Sequence, residues 1–107
     1  MADLMYKSEI DEVLDNYKNL LALNHLPISS IYLFGSYSKG MQKENSDIDI
    51  AVFWDTETLN RFEADVQLLK LTRTIDLRIE PHSFCKGDMD DPDPFLQQIL
   101  LNGKRLV

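Results

Sequence analysis

The chain reads as a single α/β (α+β) domain in which a small mixed β-sheet is packed by helices. Three observations carry this. Two apolar runs, 28–34 and 47–54, are short and rich in Ile, Val and Phe, as buried strands are. The stretches before and after them show apolar residues at three- and four-residue steps, the period of an amphipathic helix. A length of 107 residues is enough for one compact domain, 1–107, and too short for two ordinary ones.

Residues from about Asp3 to Asn24 form the first helix. Ile10, Val13, Leu14, Tyr17, Leu20 and Leu21 make its apolar stripe, with Glu9, Asp11, Glu12, Asp15 and Lys18 between them. Pro27 disfavours helix in the residue before it, so the helix ends at Asn24–Leu26 and His25 is a helix-end residue. The first strand is Ile28–Phe34. A short helix beginning at Tyr37 would end at Gly40, and 42–45 is a polar connection. The second strand is Asp47–Trp54. Asp55-Thr56-Glu57-Thr58 signals the start of a helix reaching Lys70 or Thr72, with Leu59, Phe62, Val66 and Leu69 as its stripe and Arg61, Glu63 and Asp65 facing out. Thr74–Glu80 alternates and reads as a third strand, with Ile75, Leu77 and Ile79 to the core and Asp76, Arg78 and Glu80 on the other face. Pro81–Asp93 is a loop whose acids lack the glycine and terminal glutamate of a calcium-binding EF-hand. Within it, Cys85 and His82 are a conceivable nucleophile pair with no evident orientation. Pro94 suits the first turn of a last helix, Phe95–Leu101, which Asn102-Gly103 ends. Residues 104–107 are a short tail or edge strand.

Composition excludes several functions. A formal net charge of −7 argues against a nucleic-acid-binding surface and favours a metal-bound nucleotide or a basic protein partner. The single cysteine, Cys85, forms no intrachain disulfide and no cysteine zinc cluster. No apolar run approaches the ~20 residues that span a bilayer, and the polar, acidic N-terminus is unlike a signal peptide. A cytoplasmic protein without membrane contact is the expectation; self-association is left open.

The chemistry concentrates in residues 34–53, FGSYSKGMQKENSDIDIAVF. Asp47 and Asp49 share one face of a strand, about 6.6 Å apart at a rise of about 3.3 Å per residue. Two carboxylates so placed repel each other and resist burial, and Mg²⁺, which takes oxygen ligands and substrate phosphates, relieves both problems. Gly35 and Ser36 supply a complementary half. A helix starting after them points free N–H groups at a phosphate, Ser36 caps or donates to a phosphate oxygen, and Lys39 adds positive charge. An ordinary polar loop with a capping serine would not explain the glycine and acid pairs together.

Gly35-Ser36, Gly40 and Ser46-Asp47-Ile48-Asp49 resemble the signature of the DNA polymerase β-like nucleotidyltransferases, in particular the minimal (MNT) branch with its pattern G-S-x-x-x-G, a polar run, then S-D-x-D. The resemblance covers nearly the whole chain and implies the nucleotidyltransferase core with no accessory domain. It implies two Mg²⁺ ions (or Mn²⁺) held by Asp47 and Asp49, a triphosphate held by Gly35, Ser36 and Lys39, and a third carboxylate from a neighbouring strand. Asp76 fits that place, as shared ligand or general base; the alternative is a half-exposed acid paired with Arg78 or Arg73. Tyr37 departs from the family, standing where many relatives have arginine. Bare MNT domains resemble the antitoxin half of toxin–antitoxin pairs, which implies ATP as donor and transfer of AMP to a tyrosine of a HEPN-type ribonuclease. The rival readings are a catalytically inactive module that neutralises its partner by contact, and a nucleotidyltransferase for a small-molecule acceptor.

Overall fold

The computed structural model describes the backbone of residues 2–35 and 47–107 and, within these, the side chains from residue 9 onward. The expected phosphate-turn helix, with Ser36, Lys39 and Gly40, lies outside the described residues.

Helix α1, Ala2–Leu23, buries the stripe its spacing implies: Leu14, Tyr17 and Leu21 are covered, and Ile10 and Val13 pack beside them. The Tyr17 hydroxyl donates to the Leu68 carbonyl at 2.7 Å, so a large aromatic is buried without stranding a polar atom. Burial pushes the proton affinity of this phenol up. His25 closes the helix in the left-handed region, at φ 56°.

Strands β1 (Ile28–Phe34), β2 (Ile48–Trp54), β3 (Ile79–Cys85) and β4 (Lys104–Arg105) form one mixed sheet in the order β3-β2-β1-β4. β1 runs antiparallel to β2 and β4, and β2 runs parallel to β3. Both faces are covered. Ile48, Ile50, Val52 and Trp54 pack towards α1 and α2 (Arg61–Thr72), while Ala51 and Phe53 pack with Phe84 against Leu96 and Ile99 of α3 (Pro94–Asn102). A strand buried on both sides reads as a continuous apolar run, which is how β2 reads. Asp93 caps α3, its carboxylate accepting the Leu96 N–H at 2.8 Å, and the tail after Gly103 adds β4 to the edge of β1.

Three expectations change. The third strand starts at Ile79, not at Thr74. The Asp76 N–H still donates to the Thr72 carbonyl at 2.9 Å, in the closing turn of α2, and Leu77 is 78% exposed. The strand then continues through Pro81, where a loop was expected, because an edge strand tolerates a residue without an N–H to donate. Helix α2 starts at Arg61 behind Asn60, whose side chain accepts the Glu63 N–H at 3.1 Å. Its buried residues are Ala64, Leu68 and Thr72; Phe62 and Leu69 are exposed. The helix carries two apolar faces, and contact with Tyr17 selects the one that bears Leu68. Finally, Asp65 does not simply face solvent: its Oδ1 accepts the Ser83 N–H at 2.8 Å, satisfying a donor of the edge strand. Among the described residues no helix is long and apolar enough to cross a membrane.

Candidate active site

Pairing in the sheet assembles the site. Phe34 at the end of β1 stands opposite Asp49 of β2, and Asp49 opposite Glu80 of β3. The end of β1 and the starts of β2 and β3 thus meet at one end of the sheet. With a two-residue side-chain period, Asp47 and Asp49 share the face of Ala51 and Phe53, and Glu80 and His82 the face of Phe84. This is the α3 side of the sheet.

Gly35 leaves β1 at φ 75°. A Cβ there would overlap Oδ2 of Asp49 and stand 3.2 Å from its Cγ. Only glycine combines this backbone with a carboxylate packed against its Cα. The residue expected to help hold a triphosphate makes room, in the first place, for Asp49.

Asp49 is three-quarters buried, with its side chain 25% exposed, and its Oδ1 lies 3.6 Å from His82 Nε2. Burial pushes its carboxyl above the ordinary aspartate value; the His82 imidazole opposes this and the Asp47 charge adds to it. Glu80 is also held high, by desolvation first, then by a hydrogen bond with Asp47 and the charges of Asp49 and Asp47. Ligand atoms of Asp49, Glu80 and His82 all fall within 4.8 Å of one another. Asp49 and Glu80, both held high by burial and by neighbouring negative charge, with Asp47 and an imidazole beside them, form a donor set that fits a divalent cation, whose charge removes the repulsion.

The strand position expected for Asp76 is corrected by the structure. It lies in the turn before β3, where Oδ1 accepts the Arg78 backbone N–H at 2.8 Å and Oδ2 accepts Arg78 Nη2 at 2.7 Å. Glu9 also approaches Arg78, at 3.6 Å. Arg78 is therefore engaged by acids of the scaffold. The acid brought to the strand position beside Asp49 is Glu80. Its signal was present in the sequence as an acid on the same alternating face as Asp76, but choosing between them required the strand boundary. Cys85 and His82, three apart on β3, point to opposite faces and form no nucleophile pair.

The different role of Asp76 has a measurable consequence. The Arg78 hydrogen bonds hold its carboxyl below the ordinary range despite partial burial. The stability this contributes is present above the unfolded-state value near 4 and is lost as pH falls through the lowered folded-state value. Asp76→Asn is expected to cost about 1–2 kcal/mol at neutral pH and to flatten the acid limb of the stability curve, with nucleotidyl transfer retained. Urea titrations across pH, beside an activity assay, check this; loss of transfer at full stability would restore Asp76 to the site.

Next to Gly35 a cavity of about 350 Å³ opens between β1 and α3, lined by Phe34, Phe95, Gln98, Ile99 and Asn102. The Phe34 ring links it to the acids, lying 5.3 Å from the His82 ring and 5.9 Å from the Phe95 ring.

Comparison with known proteins places the chain in a family. Residues 8–107 match the family model described as polymerase beta, nucleotidyltransferase. The chain is 38% identical over 74 residues to MJ1379 of Methanocaldococcus jannaschii, provisionally named a protein adenylyltransferase, covering 68% of this chain and 73% of that one. It is 38% identical over 88 residues to the protein adenylyltransferase MntA of Shewanella oneidensis, covering 81% of this chain and 59% of MntA. Among solved structures, a chain of a toxin–antitoxin crystal structure with AMP-PNP superposes with a TM-score of 0.62 at 35% identity, covering 86% of this chain and 71% of that one. A chain of the complex between tri-AMPylated Shewanella oneidensis HEPN toxin and its MNT antitoxin gives 0.60 at 29% identity, covering 91% and 71%. With a family match over residues 8–107 and the acids of β2 and β3 gathered at Gly35, this chain belongs to the polymerase beta nucleotidyltransferase family and is a nucleotidyltransferase of the minimal, MntA-like kind.

Proposed function

We propose that this chain is an antitoxin that transfers AMP from ATP to a tyrosine hydroxyl of a HEPN-type ribonuclease toxin. The observation that carries the reading is Asp49 packed against Gly35, with Glu80 opposite it on β3 and the charge of Asp47 acting on both. The names of the relatives and the toxin–antitoxin complexes among the structural neighbours support the donor and the partner.

Asp47, Asp49 and Glu80 would hold Mg²⁺, Glu80 taking the place first given to Asp76. When bound, the metal supplies charge neutralisation for the triphosphate and lowers the proton affinity of an attacking hydroxyl. The chain's own residues do the rest. Gly35 lets the backbone approach the phosphates, and Ser36 and Lys39 are assigned to hold them. The rigid β2–β3 pairing fixes the carboxylates in register, so that bound substrates react from a prepared geometry. The hydroxyl attacks the α-phosphorus, pyrophosphate leaves, and the hydroxyl proton passes to a carboxylate of the cluster. The cavity beside Phe34 and Phe95 offers aromatic walls and two amide side chains to a planar ring.

Incubation with a HEPN-type protein supplied as partner, ATP and Mg²⁺ tests the reading. A mass gain of one AMP on the partner's tyrosine is the expected result. A stable complex with no mass gain would favour the inactive binding module. The metal requirement is tested separately by calorimetry. Like charges at 4 Å cost about 4 kcal/mol at an effective dielectric near 20, so three carboxylates without metal repel a triphosphate. ATP affinity is expected to fall at least about a hundredfold in EDTA; equal affinity with and without Mg²⁺ would remove the metal from the site.

A further inference from the structure

We propose that His82 is itself a metal ligand in this site and shifts its preference from Mg²⁺ towards Mn²⁺. The inference rests on the metal-site reading above and concerns a residue outside the expected carboxylate set.

His82 follows Glu80 by two residues on β3, so both side chains emerge on the same face, flanking Asp49. The imidazole is held in place by Phe34, at 5.3 Å between ring centres, and Phe34 is held in turn by Phe95 at 5.9 Å. Its Nε2 is buried and makes no hydrogen bond among the described residues. Asp49 Oδ1 stands 3.6 Å away, too far for a hydrogen bond. Two ligand atoms each about 2.1 Å from one ion stand about 3.0 Å apart at a right angle and about 4.2 Å apart when opposite. The 3.6 Å separation lies inside that range. The whole Asp49–Glu80–His82 set lies within 4.8 Å, slightly wider than that range, and Glu80 is its exposed member. A buried nitrogen without a hydrogen bond, pinned at ligand spacing from a carboxylate, is what a coordination site provides in advance of its ion. Imidazole suits first-row transition ions, whereas Mg²⁺ is served by oxygen; of the transition ions, Mn²⁺ also accepts a carboxylate-rich set. One nitrogen among oxygens therefore favours Mn²⁺ without excluding Mg²⁺.

Pulsed electron paramagnetic resonance of the full chain with Mn²⁺ and inorganic tripolyphosphate tests this, because that probe contains no nitrogen. The expected result is a ¹⁴N modulation on bound Mn²⁺ that changes to the ¹⁵N pattern when histidine is ¹⁵N-labelled. The chain has two histidines, so the measurement is repeated in His25→Gln, where the signal persists, and in His82→Gln, where it disappears. In His82→Gln, Mn²⁺ affinity is expected to fall about tenfold or more while Mg²⁺ affinity, measured by competition, changes less than twofold. If His82→Gln does not fold, the ¹⁵N-labelled His25→Gln chain, whose one remaining histidine is His82, decides. Bound Mn²⁺ without nitrogen coupling, yet displaced in Asp49→Asn, would overturn the ligand role of His82 and leave the carboxylate site standing. Equal loss of both ions in His82→Gln would reduce the residue to a positioning role and overturn the proposal. No Mn²⁺ binding at all would overturn the proposal and the metal site together.

Discussion

Asp49→Asn is expected to abolish AMP transfer while leaving the fold intact or more stable. Asp49 sits at the crossing of the site: against Gly35, 3.6 Å from His82, and paired in register with Glu80. Replacing its carboxylate by an amide keeps the shape and removes the charge that a divalent ion requires. Loss of a preorganised charge in a transition-state site costs roughly 3–4 kcal/mol, on the order of 10²–10³ in rate. Stability moves the other way. The Asp49 carboxyl is raised in the folded state, chiefly by burial. A raised folded-state value contributes stability below the unfolded value near 4, and that contribution is lost as pH rises through the folded value. At neutral pH without metal the ionised group is therefore a burden, and its neutral isostere relieves it. Thermal melts in EDTA are expected to show a midpoint equal to or above the native one, as at other sites that trade stability for function. Full activity in this variant would sink the metal assignment; a collapsed melt would make Asp49 a structural residue.

Glu80→Gln is expected to lower transfer by a similar factor, and Asp76→Asn is not. The two acids lie four positions apart and were indistinguishable by alternation alone. Glu80 feels the charge of Asp47 and lies within ligand spacing of Asp49 and His82, whereas Asp76 is bound to Arg78. In Glu80→Gln the loss is expected mainly in turnover at saturating Mg²⁺-ATP, with weaker metal binding seen as a higher Mg²⁺ concentration for half-maximal rate. Rates measured across a Mg²⁺ series for both variants check this. Normal turnover in Glu80→Gln together with a dead Asp76→Asn would reverse the assignment and require the third strand to start earlier in solution.

The sequence by itself determined a good deal. The first helix, β1, β2 and α3 were legible because each carries a local signal strong enough to decide it. For α1 this is a long amphipathic stripe closed by Pro27; for β1 and β2, apolar runs bounded by Gly35 and Asp55; for α3, a Pro94 start and a Gly103 stop. The shared face of Asp47 and Asp49 was legible for the same reason, since residues two apart in extended chain share a face whatever surrounds them. Tertiary structure decided what local pattern leaves degenerate. Helix α2 offers two apolar faces, and only packing against Tyr17 chooses the one with Leu68. Residues 74–80 alternate as a strand does, yet the closing turn of α2 and the Asp76–Arg78 pair claim their first half. Pro81 hides a strand that is possible only because β3 lies at the sheet edge. Glu80 and His82 reach the site through the parallel pairing of β3 with β2. Such pairing depends on residues some thirty positions apart in the chain, and no local spacing can express a contact that exists only after the sheet has formed.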